Sequence, residues 1–539
     1  MNQFTDDFLR GQGLSFAELD LHSGAMLRND YRGMFLCLLI LFVSGCTTID
    51  FDQERIESYA IEDSGSTSLA KRVEGVLPVV DGRSAFYPIA DGIEALAARF
   101  ALAEQAERTI DAQYYLLHND PIGRAFIEVL LEAADRGVRV RLLIDDIETS
   151  GMDGKLLALD AHPNLEIRVF NPFVTRFARY WDVLIDFSRV NRRMHNKAFI
   201  LDNEVAVIGG RNIADEYFGA NPDSSFDDMD VLTVGPVVRE VSGMFDLYWN
   251  SRLAFPIKGI AYSRADLPAK LTGLRQDLLR AQESFLGSEY KRALQARELG
   301  YLHRPPGRFF VAEYELLFDP PAKGQRERSD EREDVLNGVE RYMLNAEEEV
   351  YIESPYFVLL PDDLERFLKM RARGIDVTVV TNSLAAIDHA LVHSGYMKNR
   401  KALLEAGVRI FELRADATVE GTAYSGGSGA TSTLHAKVFV VDQRYYFIGS
   451  FNFDPRSAYL NTESGVILDS PELAKALVEE HAASVMDQAY ELYLNQKNQI
   501  RWRTMVNGRE VIYTMEPNTS ALKRFTTRLL GYLPIMKSL

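Results

Sequence analysis

A short string of residues occurs twice in this chain, and its repetition constrains the fold more than any other feature. The first copy reads H-N-K-A-F-I-L-D from His195 to Asp202, and the second reads H-A-K-V-F-V-V-D from His435 to Asp442. Each copy is followed by a glycine-containing turn and an asparagine, in the form G-G-R-N or G-S-F-N. A chain that carries the same H-x-K-x4-D pattern twice is predicted to consist of two related halves.

The residues before each copy also repeat in the same order. In each half an apolar strand pattern leads into a helical pattern, Ile122 to Arg136 or Pro361 to Arg373, and a second apolar strand pattern follows. Gly137 and Gly374 stand where each helix should end, since glycine readily adopts the left-handed conformation of a helix C-terminus. A strand, a helix and a strand form a βαβ unit with parallel strands. The sequence therefore predicts an α/β fold of two lobes related by a pseudo-twofold axis.

The residue types in the H-x-K part of the motif suit the cleavage of a phosphodiester bond. On an extended strand both side chains point to the same face, so an imidazole and an ammonium group lie side by side. If the lobes bring the motifs together, one of His195 and His435 can attack phosphorus and the other can protonate the leaving oxygen. Lys197 and Lys437 can hold the non-bridging oxygens and stabilise the developing charge. The pattern predicts one catalytic site shared by the two lobes.

Further polar residues are candidates for supporting this chemistry. Asn212 and Asn452 end the turns that follow the motifs and can donate hydrogen bonds. An attacking imidazole needs a hydrogen-bond acceptor at its other nitrogen, ideally a carboxylate. Asp230 and Glu463 occupy similar places downstream of the two motifs, so we expect them to be these acceptors.

The aspartates that close the two motifs are expected to have a structural role. Asp202 and Asp442 lie at odd offsets from their histidines, so their side chains should point to the opposite strand face or into the turn. We interpret them as supports of the hairpins.

No pattern in the sequence indicates a metal ion or an organic cofactor. There is no H-E-x-x-H motif, calcium-binding loop or dense carboxylate cluster, and the two cysteines, Cys37 and Cys46, both lie near the N-terminus. Other histidines, such as His118, His389 and His393, occur singly and are expected to be solvated or to line a substrate cleft. The predicted mechanism needs no cofactor.

Length and charge narrow the possible partners. At 539 residues the chain exceeds the usual size of one domain, which agrees with two lobes. Its formal net charge is −18. Because so acidic a chain repels polyphosphate backbones, we expect no nucleic-acid partner.

The sequence also suggests boundaries. We expect a first lobe at 80–255, a mainly helical connector at 256–328 and a second lobe at 329–495. Within 496–539, a β-hairpin should turn at Asn507-Gly508, and a helix with apolar residues at helical spacing and basic residues between them should follow from Ser520. Such a helix can lie on an anionic membrane surface or dock on its own protein, and the pattern leaves both open.

The segment at 34–46 is typical of a bacterial lipoprotein signal. Its apolar run, Met34 to Val43, is shorter than the roughly 20 residues that span a bilayer. Basic residues precede it and V-S-G-C follows, so cleavage before Cys46 would leave a lipidated cysteine. We expect membrane attachment in the bacterial cell envelope, facing the periplasm, with inner and outer membrane both open. A signal anchor or a buried core helix is the alternative.

At these residues the chain resembles the phospholipase D superfamily, which has two HKD motifs. The stretch S-R-V-N-R-R-M-H-N-K at Ser188 to Lys197, with Q-Y-Y at Gln113 to Tyr115, is similar to bacterial cardiolipin synthases, most of all the C type. The resemblance implies a phosphatidyltransferase that makes cardiolipin through a phosphohistidine, with His195 as nucleophile and His435 as general acid and base. The implied partners are a membrane surface and the phospholipids phosphatidylglycerol and phosphatidylethanolamine; an accessory protein is compatible with the sequence.

Three other functions compete with this one. A hydrolytic phospholipase D would use water as the acceptor, and the sequence does not separate it from a transferase. A secreted phosphodiesterase or nuclease is disfavoured by the acidic charge and the expected membrane attachment. A non-catalytic lipid-binding protein is disfavoured because both motifs keep their histidine and lysine.

Overall fold

The structure is a computed structural model that describes residues 55–76, 82–176, 178–286, 290–296, 309–325, 334–417 and 431–533. The predicted signal segment at 34–46, with Cys46, lies outside these residues. Every described residue belongs to one unit, Ile49–Leu539. Across the described ranges, each helix is too short or too polar to cross a membrane.

The first lobe is an α/β sheet with helices on its faces. Its strands are β1 (Ser84–Ile89), β2 (Thr109–Tyr114), β3 (Arg139–Asp145), β4 (Leu165–Phe170), β5 (Ala198–Leu201), β6 (Val205–Gly209), β7 (Ser224–Asp227), β8 (Asp230–Val234) and β9 (Ala254–Pro256). Its helices are α1 (Ser68–Val76), α2 (Gly92–Gln105), α3 (Pro121–Asp135), α4 (Asp153–Leu159), α5 (Tyr180–Ile185), α6 (Phe187–Val190) and α7 (Pro236–Trp249). Helices α8 (Ile257–Ile260) and α9 (Leu267–Leu286) follow it.

The second lobe repeats this arrangement. Its strands are β10 (Phe310–Phe318), β11 (Glu349–Glu353), β12 (Asp376–Asn382), β13 (Arg409–Leu413), β14 (Thr431–Leu434), β15 (Val438–Val441), β16 (Tyr445–Gly449), β17 (Ser464–Asp469), β18 (Ala489–Leu494), β19 (Ile500–Val506) and β20 (Arg509–Tyr513). Its helices are α10 (Val335–Leu344), α11 (Pro361–Ala372), α12 (Ala390–Tyr396), α13 (Arg400–Glu405), α14 (Pro455–Tyr459), α15 (Pro471–Gln488) and α16 (Ala521–Leu530).

Both predicted βαβ units are confirmed. Strand β2 runs parallel to β3 with α3 between them, and β11 runs parallel to β12 with α11 between them. Gly137 and Gly374 follow these helices with φ of 93° and 90°, the left-handed values that favour glycine. The motif strands β5 and β15 then pair antiparallel with β2 and β11, which places each motif beside its βαβ unit.

The strand order shows the pseudo-twofold relation of the lobes. In the first lobe the pairings run β9-β4-β3-β2-β5-β6-β8-β1, and in the second they run β18-β13-β12-β11-β15-β16-β17-β10. Each strand of one series thus has a counterpart at the same place in the other. The α/β fold of two related lobes, predicted from the repeated motif, is confirmed.

The two sheets join where their equivalent strands β1 and β10 pair antiparallel. This pairing corrects the predicted domain boundaries, because β10 lies in the stretch at 256–328 that was expected to be a mainly helical connector. Helix α9 does belong to that stretch, but β10 is the first strand of the second lobe. The second lobe therefore begins at Phe310 and not at 329. The prediction missed β10 because no repeat of its sequence marks β1 as its counterpart.

Buried apolar side chains among the described residues form three clusters. One lies between the first sheet and α2 and α3, and one lies between the second sheet and α10 and α11. The third contains residues of both lobes, including side chains of α7 and α15 and the inner faces of the motif strands. This shared core fixes the two motifs relative to each other, because apolar burial is the main favourable term in folding.

The C-terminal region contains the two expected elements. Strands β19 and β20 form a hairpin whose turn residues, Asn507 and Gly508, have φ of 51° and 73°. Helix α16 begins after Ser520, whose side chain accepts a hydrogen bond from the backbone N–H of Lys523.

Candidate active site

The histidine and lysine of each motif lie in the extended segment just before the motif strand. The sequence pattern places them on the strand itself, whereas β5 begins at Ala198 and β15 at Val438. Each strand then enters a two-residue turn in which both residues have positive φ, as type I′ hairpins require. The hairpin holds the motif rigidly but leaves the histidine and lysine free of strand pairing.

Asp202 and Asp442 occupy the first position of these turns, away from the histidines. The carboxylate of Asp202 accepts hydrogen bonds from the backbone N–H groups of residues 107–109, at the start of β2. The carboxylate of Asp442 accepts them from residues 347–349, at the start of β11. These bonds tie each hairpin to the βαβ unit beside it, which is the contact that a structural support makes.

Each histidine is held by the opposite lobe. The backbone N–H of His195 donates to the carbonyl of Thr462, and its Nδ1 lies 2.8 Å from Oε2 of Glu463. In the same way, the backbone N–H of His435 donates to the carbonyl of Asp227, and its Nδ1 lies 2.5 Å from Oδ2 of Asp228. Because a carboxylate at Nδ1 holds the proton there, Nε2 is the nitrogen left for chemistry. Neither lobe builds this site alone.

The structure corrects the predicted role of Asp230. Its buried carboxylate forms an ion pair with Arg99, 2.8 Å away, and does not contact either histidine. The position equivalent to Glu463 is Asp228, because Asp230 pairs with Gly209 whereas Gly465 pairs with Gly449. The register of the strands thus makes Asp230 the counterpart of a glycine.

The sequence could have suggested Asp228. Aligning the two strands that follow, D-V-L-T-V from Asp230 and G-V-I-L-D from Gly465, places Asp228 opposite Glu463. Counting residues from the asparagines does not show this match, because the loop from Asn212 to Asp228 is longer than the loop from Asn452 to Glu463. The longer loop contains β7. Gly210 is required beside Asp228, since a Cβ there would lie 2.1 Å from the Asp228 carboxylate.

Comparison with known proteins identifies the family. Residues 100–249 and 339–484 match the family described as cardiolipin synthase, PLD-like domain. Over 483 residues the chain is 39% identical to cardiolipin synthase C of Escherichia coli (strain K12), a match that covers 87% of this chain and 99% of that protein. The chain belongs to this family. It is an enzyme of the phospholipase D superfamily, of the phosphatidyltransferase class.

Two more distant relatives agree with this assignment. A cardiolipin synthase of Staphylococcus aureus (strain Mu50 / ATCC 700699) is 26% identical over 371 residues, which are 68% of this chain and 60% of that protein. Among solved structures, phosphatidylserine synthase of Haemophilus influenzae Rd KW20 aligns with a TM-score of 0.54 and 15% identity, over 88% of this chain and 100% of that one. At that identity the likeness shows the fold. The resemblance to the phospholipase D superfamily seen in the sequence is confirmed.

Within this family site, the two lysines lie buried beside their own histidines. Nζ of Lys197 donates to the carbonyl of His195 at 2.6 Å, and Nζ of Lys437 donates to the carbonyl of His435. Burial lowers the pKa of Lys197 well below its ordinary value and lowers the pKa of Lys437 to about 8. The carboxylates of Glu463 and Asp228 oppose these shifts, so the site places two lysines and two carboxylates together.

Burial also lowers the pKa of both imidazoles. The pKa of His195 falls to about 4 although Glu463 opposes the shift, and the pKa of His435 falls to about 4 although Asp228 opposes it. The lysine of the other motif contributes to each shift, which shows that the two motifs face one site. The pKa of Asp228 is lowered to about 2, despite burial, by His435 and Lys437. At neutral pH both imidazoles are therefore neutral, between carboxylates and lysines.

Aromatic rings also orient the histidines. The ring of Tyr115 meets His195 edge to face at 4.9 Å between centroids. His435 stacks on Phe226 at 5.2 Å and meets Tyr217 edge to face at 5.0 Å. All three aromatic residues come from the first lobe, and the two histidines are equally buried.

The two asparagines differ in their surroundings. Asn212 accepts a hydrogen bond from the backbone N–H of Leu116 and donates one to the hydroxyl of Tyr217. In the described residues, the buried Oδ1 of Asn452 has no hydrogen-bond partner. Neighbouring groups therefore hold the side chain of Asn212, whereas the side-chain oxygen of Asn452 is not held.

Other histidines lie in separate clusters. His118 is near Asp120 and Glu216, and buried His393 is near Glu412 and Glu516. The second cluster already contains an internal cation, because Arg400 forms ion pairs with both of its glutamates. Neither cluster includes a residue of the two motifs.

The lowered pKa of Lys437 predicts a pH limit on activity. Because only the ammonium form stabilises phosphate charge, kcat/KM should fall as the pH rises through about 8. A pH-rate profile measures this limb. Lys437→Arg keeps its charge over the whole range and should move the limb to higher pH. A profile that stays flat to pH 10 in the parent enzyme would contradict the assigned role of Lys437.

Proposed function

We propose that this enzyme makes cardiolipin by transferring a phosphatidyl group from a phospholipid to phosphatidylglycerol through a phosphohistidine. The observation that carries the proposal is the paired geometry of the site. His195 and His435 are each held at Nδ1 by a carboxylate of the other lobe, with Lys197 and Lys437 beside them. The names of the related cardiolipin synthases support the choice of product.

In the first step, Nε2 of His195 attacks phosphorus and the bond to the leaving alcohol breaks. Protonated His435 gives its proton to that alcohol oxygen. A phosphodiester anion bound between Lys197 and Lys437 offsets their charge, which raises the pKa of His435 and favours its protonated form. Glu463 stabilises the charge that develops on His195.

In the second step, neutral His435 removes the proton from the primary hydroxyl of phosphatidylglycerol. The hydroxyl oxygen attacks phosphorus, the bond to His195 breaks, and His195 returns to its neutral form. Water in place of this hydroxyl would give phosphatidic acid, the product of a hydrolytic phospholipase D. The names of the related cardiolipin synthases support the hydroxyl of phosphatidylglycerol, rather than water, as the acceptor.

Expression of the chain in a bacterium that lacks cardiolipin tests the proposed product. We expect cardiolipin in the extracted lipids, identified by mass spectrometry, and none from a His195→Ala variant produced at the same level. Phosphatidic acid without cardiolipin would instead establish the hydrolase.

The intermediate gives a separate prediction. Incubation with phospholipid followed by alkaline quenching should leave an acid-labile phosphatidyl group on His195, detected by peptide mass spectrometry. A substrate with a good leaving group, such as a nitrophenyl phosphatidyl ester, needs no proton from His435 in the first step. With this substrate, His435→Ala should slow the breakdown of the adduct more than its formation. An adduct found on His435 would reverse the two histidine roles.

We also propose that the enzyme is a lipoprotein of the cell envelope facing the periplasm, supported by the V-S-G-C sequence that follows the apolar run at 34–43. A fatty-acid analogue supplied to a Gram-negative host should label the parent chain and not Cys46→Ser. Equal labelling of both, or of neither, would exclude the anchor at Cys46.

A further inference from the structure

Helix α5 presents its apolar side chains to solvent and its polar one to the protein. Trp181, Leu184 and Ile185 are 54%, 75% and 81% exposed. Asp182 is buried and accepts hydrogen bonds from the backbone N–H groups of residues 174 and 175. A helix on the surface of a soluble protein normally has the opposite arrangement. The apolar face of α5 therefore lacks a partner within the described chain.

Helix α16 is reversed in the same way. Leu522, Phe525 and Leu529 lie on one face over successive turns and are 71%, 65% and 57% exposed. Thr527, on the opposite face, is buried against the protein, and its hydroxyl bonds to the carbonyl of Lys523 within the helix. Helix α16 therefore docks on its own protein through the face that carries Thr527, and its apolar face stays exposed.

The segment that follows helices α5 and α6 leads directly to the active site. After α6, Asn191 accepts a hydrogen bond from Arg456 of the second lobe at 2.7 Å. Burial raises the pKa of Tyr115 to about 12, and the positive charge of Arg456 opposes this shift. Arg456 therefore lies near Tyr115, whose ring packs on His195. The exposed apolar residues of α5, and Phe187 of α6, which is 51% exposed, are thus at the first-lobe side of the site.

Helix α16 lies near the same site on the second-lobe side. It packs against α12, where a Cβ at Gly531 would lie 3.5 Å from the carbonyl oxygen of Ser394. Just before α12, Asp388 accepts a hydrogen bond from the hydroxyl of Tyr356 at 2.7 Å and acts electrostatically on Lys437. The two exposed apolar helices therefore flank one site, each from its own lobe.

The charge of α16 indicates what the two helices contact. The helix reads A-L-K-R-F-T-T-R-L-L, with three basic residues and no acidic one, in a chain whose net charge is −18. Anionic lipid surfaces attract helices that combine basic and apolar residues, and Trp and Tyr favour the boundary between lipid and water. A bilayer also contains the substrate of the proposed reaction.

We propose that α5, α6 and α16 form a docking surface that enters the outer part of an anionic phospholipid bilayer and turns the active site toward it. The proposal rests on the proposed function, in that the substrate reaches the site from that bilayer. The lipid substrate then moves from the bilayer to the active site without exposing its two acyl chains to water, which would be unfavourable.

Tryptophan fluorescence tests this surface directly. The chain has three tryptophans, of which Trp249 and Trp502 are buried, so Trp181 is the one that can meet lipid. Vesicles of phosphatidylglycerol and phosphatidylcholine with brominated acyl chains should quench the emission of Trp181 in the full-length protein. Trp181→Phe keeps the apolar face, and its remaining emission should not be quenched.

The second helix is tested in the same way. Phe525→Trp in the Trp181→Phe background should restore quenching by brominated lipid. Equal quenching by vesicles of phosphatidylcholine alone would overturn the role given to the basic residues of α16. If anionic vesicles sediment with the protein but do not quench Trp181, the docking surface is overturned. It is also overturned if the protein self-associates and acrylamide cannot reach Trp181 before lipid is added.

Activity provides a second readout. In the variant Trp181→Ser/Leu184→Ser/Ile185→Ser, the ratio of activity on vesicles to activity on monomeric short-chain phospholipid should fall by about tenfold or more, because three large apolar side chains no longer enter lipid. Tyr262→Ser removes an aromatic residue that lies elsewhere and is more exposed than Trp181, at 83%, and it should leave the ratio unchanged. An unchanged ratio in the triple variant would overturn the proposal.

The quenching result needs no turnover. If the protein docks and is quenched but transfers no phosphatidyl group to any acceptor, the docking surface is supported and the proposed function fails.

Discussion

His195→Ala and His435→Ala should each lower kcat by at least about 10⁴-fold, because the two histidines act as one catalytic unit. Without His195 no covalent intermediate forms. Without His435 the leaving alcohol receives no proton, and the acceptor hydroxyl is not activated. The double variant should be no slower than the slower single variant, since removing one member already disables the unit. Phosphatidyl transfer followed by mass spectrometry of the lipid products measures all three.

A matched control is available in the same chain. His162 contacts the carboxylate of Asp135 at 3.1 Å, in a surface pair outside the two motifs, so His162→Ala should keep full activity. Turnover within tenfold of the parent enzyme in either motif variant would exclude a site shared by the two lobes.

Asp228→Asn and Glu463→Gln should each lower kcat by about 10²–10⁴-fold while the protein stays folded. An amide at these positions no longer accepts the Nδ1 proton with a full negative charge, so the imidazole loses both its fixed tautomer and the stabilisation of its charged form. His435 depends on Asp228 and His195 depends on Glu463, each across the lobe boundary. Steady-state kinetics and thermal unfolding, measured on the same samples, separate the rate from the folding.

Asp230→Asn is the matched control for Asp228→Asn. It removes a buried partner of Arg99, and an uncompensated buried charge costs about 3–5 kcal/mol of folding stability. We expect a lower unfolding temperature and a much smaller loss of activity per folded molecule than in Asp228→Asn, because Asp230 acts on Lys197 only through its charge and does not contact a histidine. If Asp230→Asn proved the slower enzyme and Asp228→Asn the less stable protein, the assignment of Asp228 to His435 would be wrong.

Local patterns explain why much of this protein could be predicted. The alternation of apolar residues and the glycines at 137 and 374 specify βαβ units within a few turns of chain, and both units are present. The same holds for the hairpin at Asn507-Gly508, whose left-handed turn those two residues favour. Such features depend on neighbours in sequence, so one sequence is enough to find them.

The failures came from contacts between residues far apart in the chain. Three acidic residues stand within F-D-D-M-D, and only the register of β8 against β6 shows that Asp228 is the one that reaches a histidine. Strand β10 was missed because no sequence repeat links it to β1, and its pairings with β1 and β17 join residues far apart in the chain. No local pattern distinguishes these alternatives.

The sequence by itself determined the number of lobes, the two H-x-K motifs and the residue types that a phosphodiester transfer needs, because repetition and strand periodicity are local and can be read directly. The tertiary structure alone decided that each imidazole is held by a carboxylate of the opposite lobe, since a pseudo-twofold arrangement brings the loop before β8 to His435 and the loop before β17 to His195. It also decided which faces of α5 and α16 point outward. An amphipathic pattern states that a helix has an apolar face, but the direction of that face depends on what the rest of the chain packs against it.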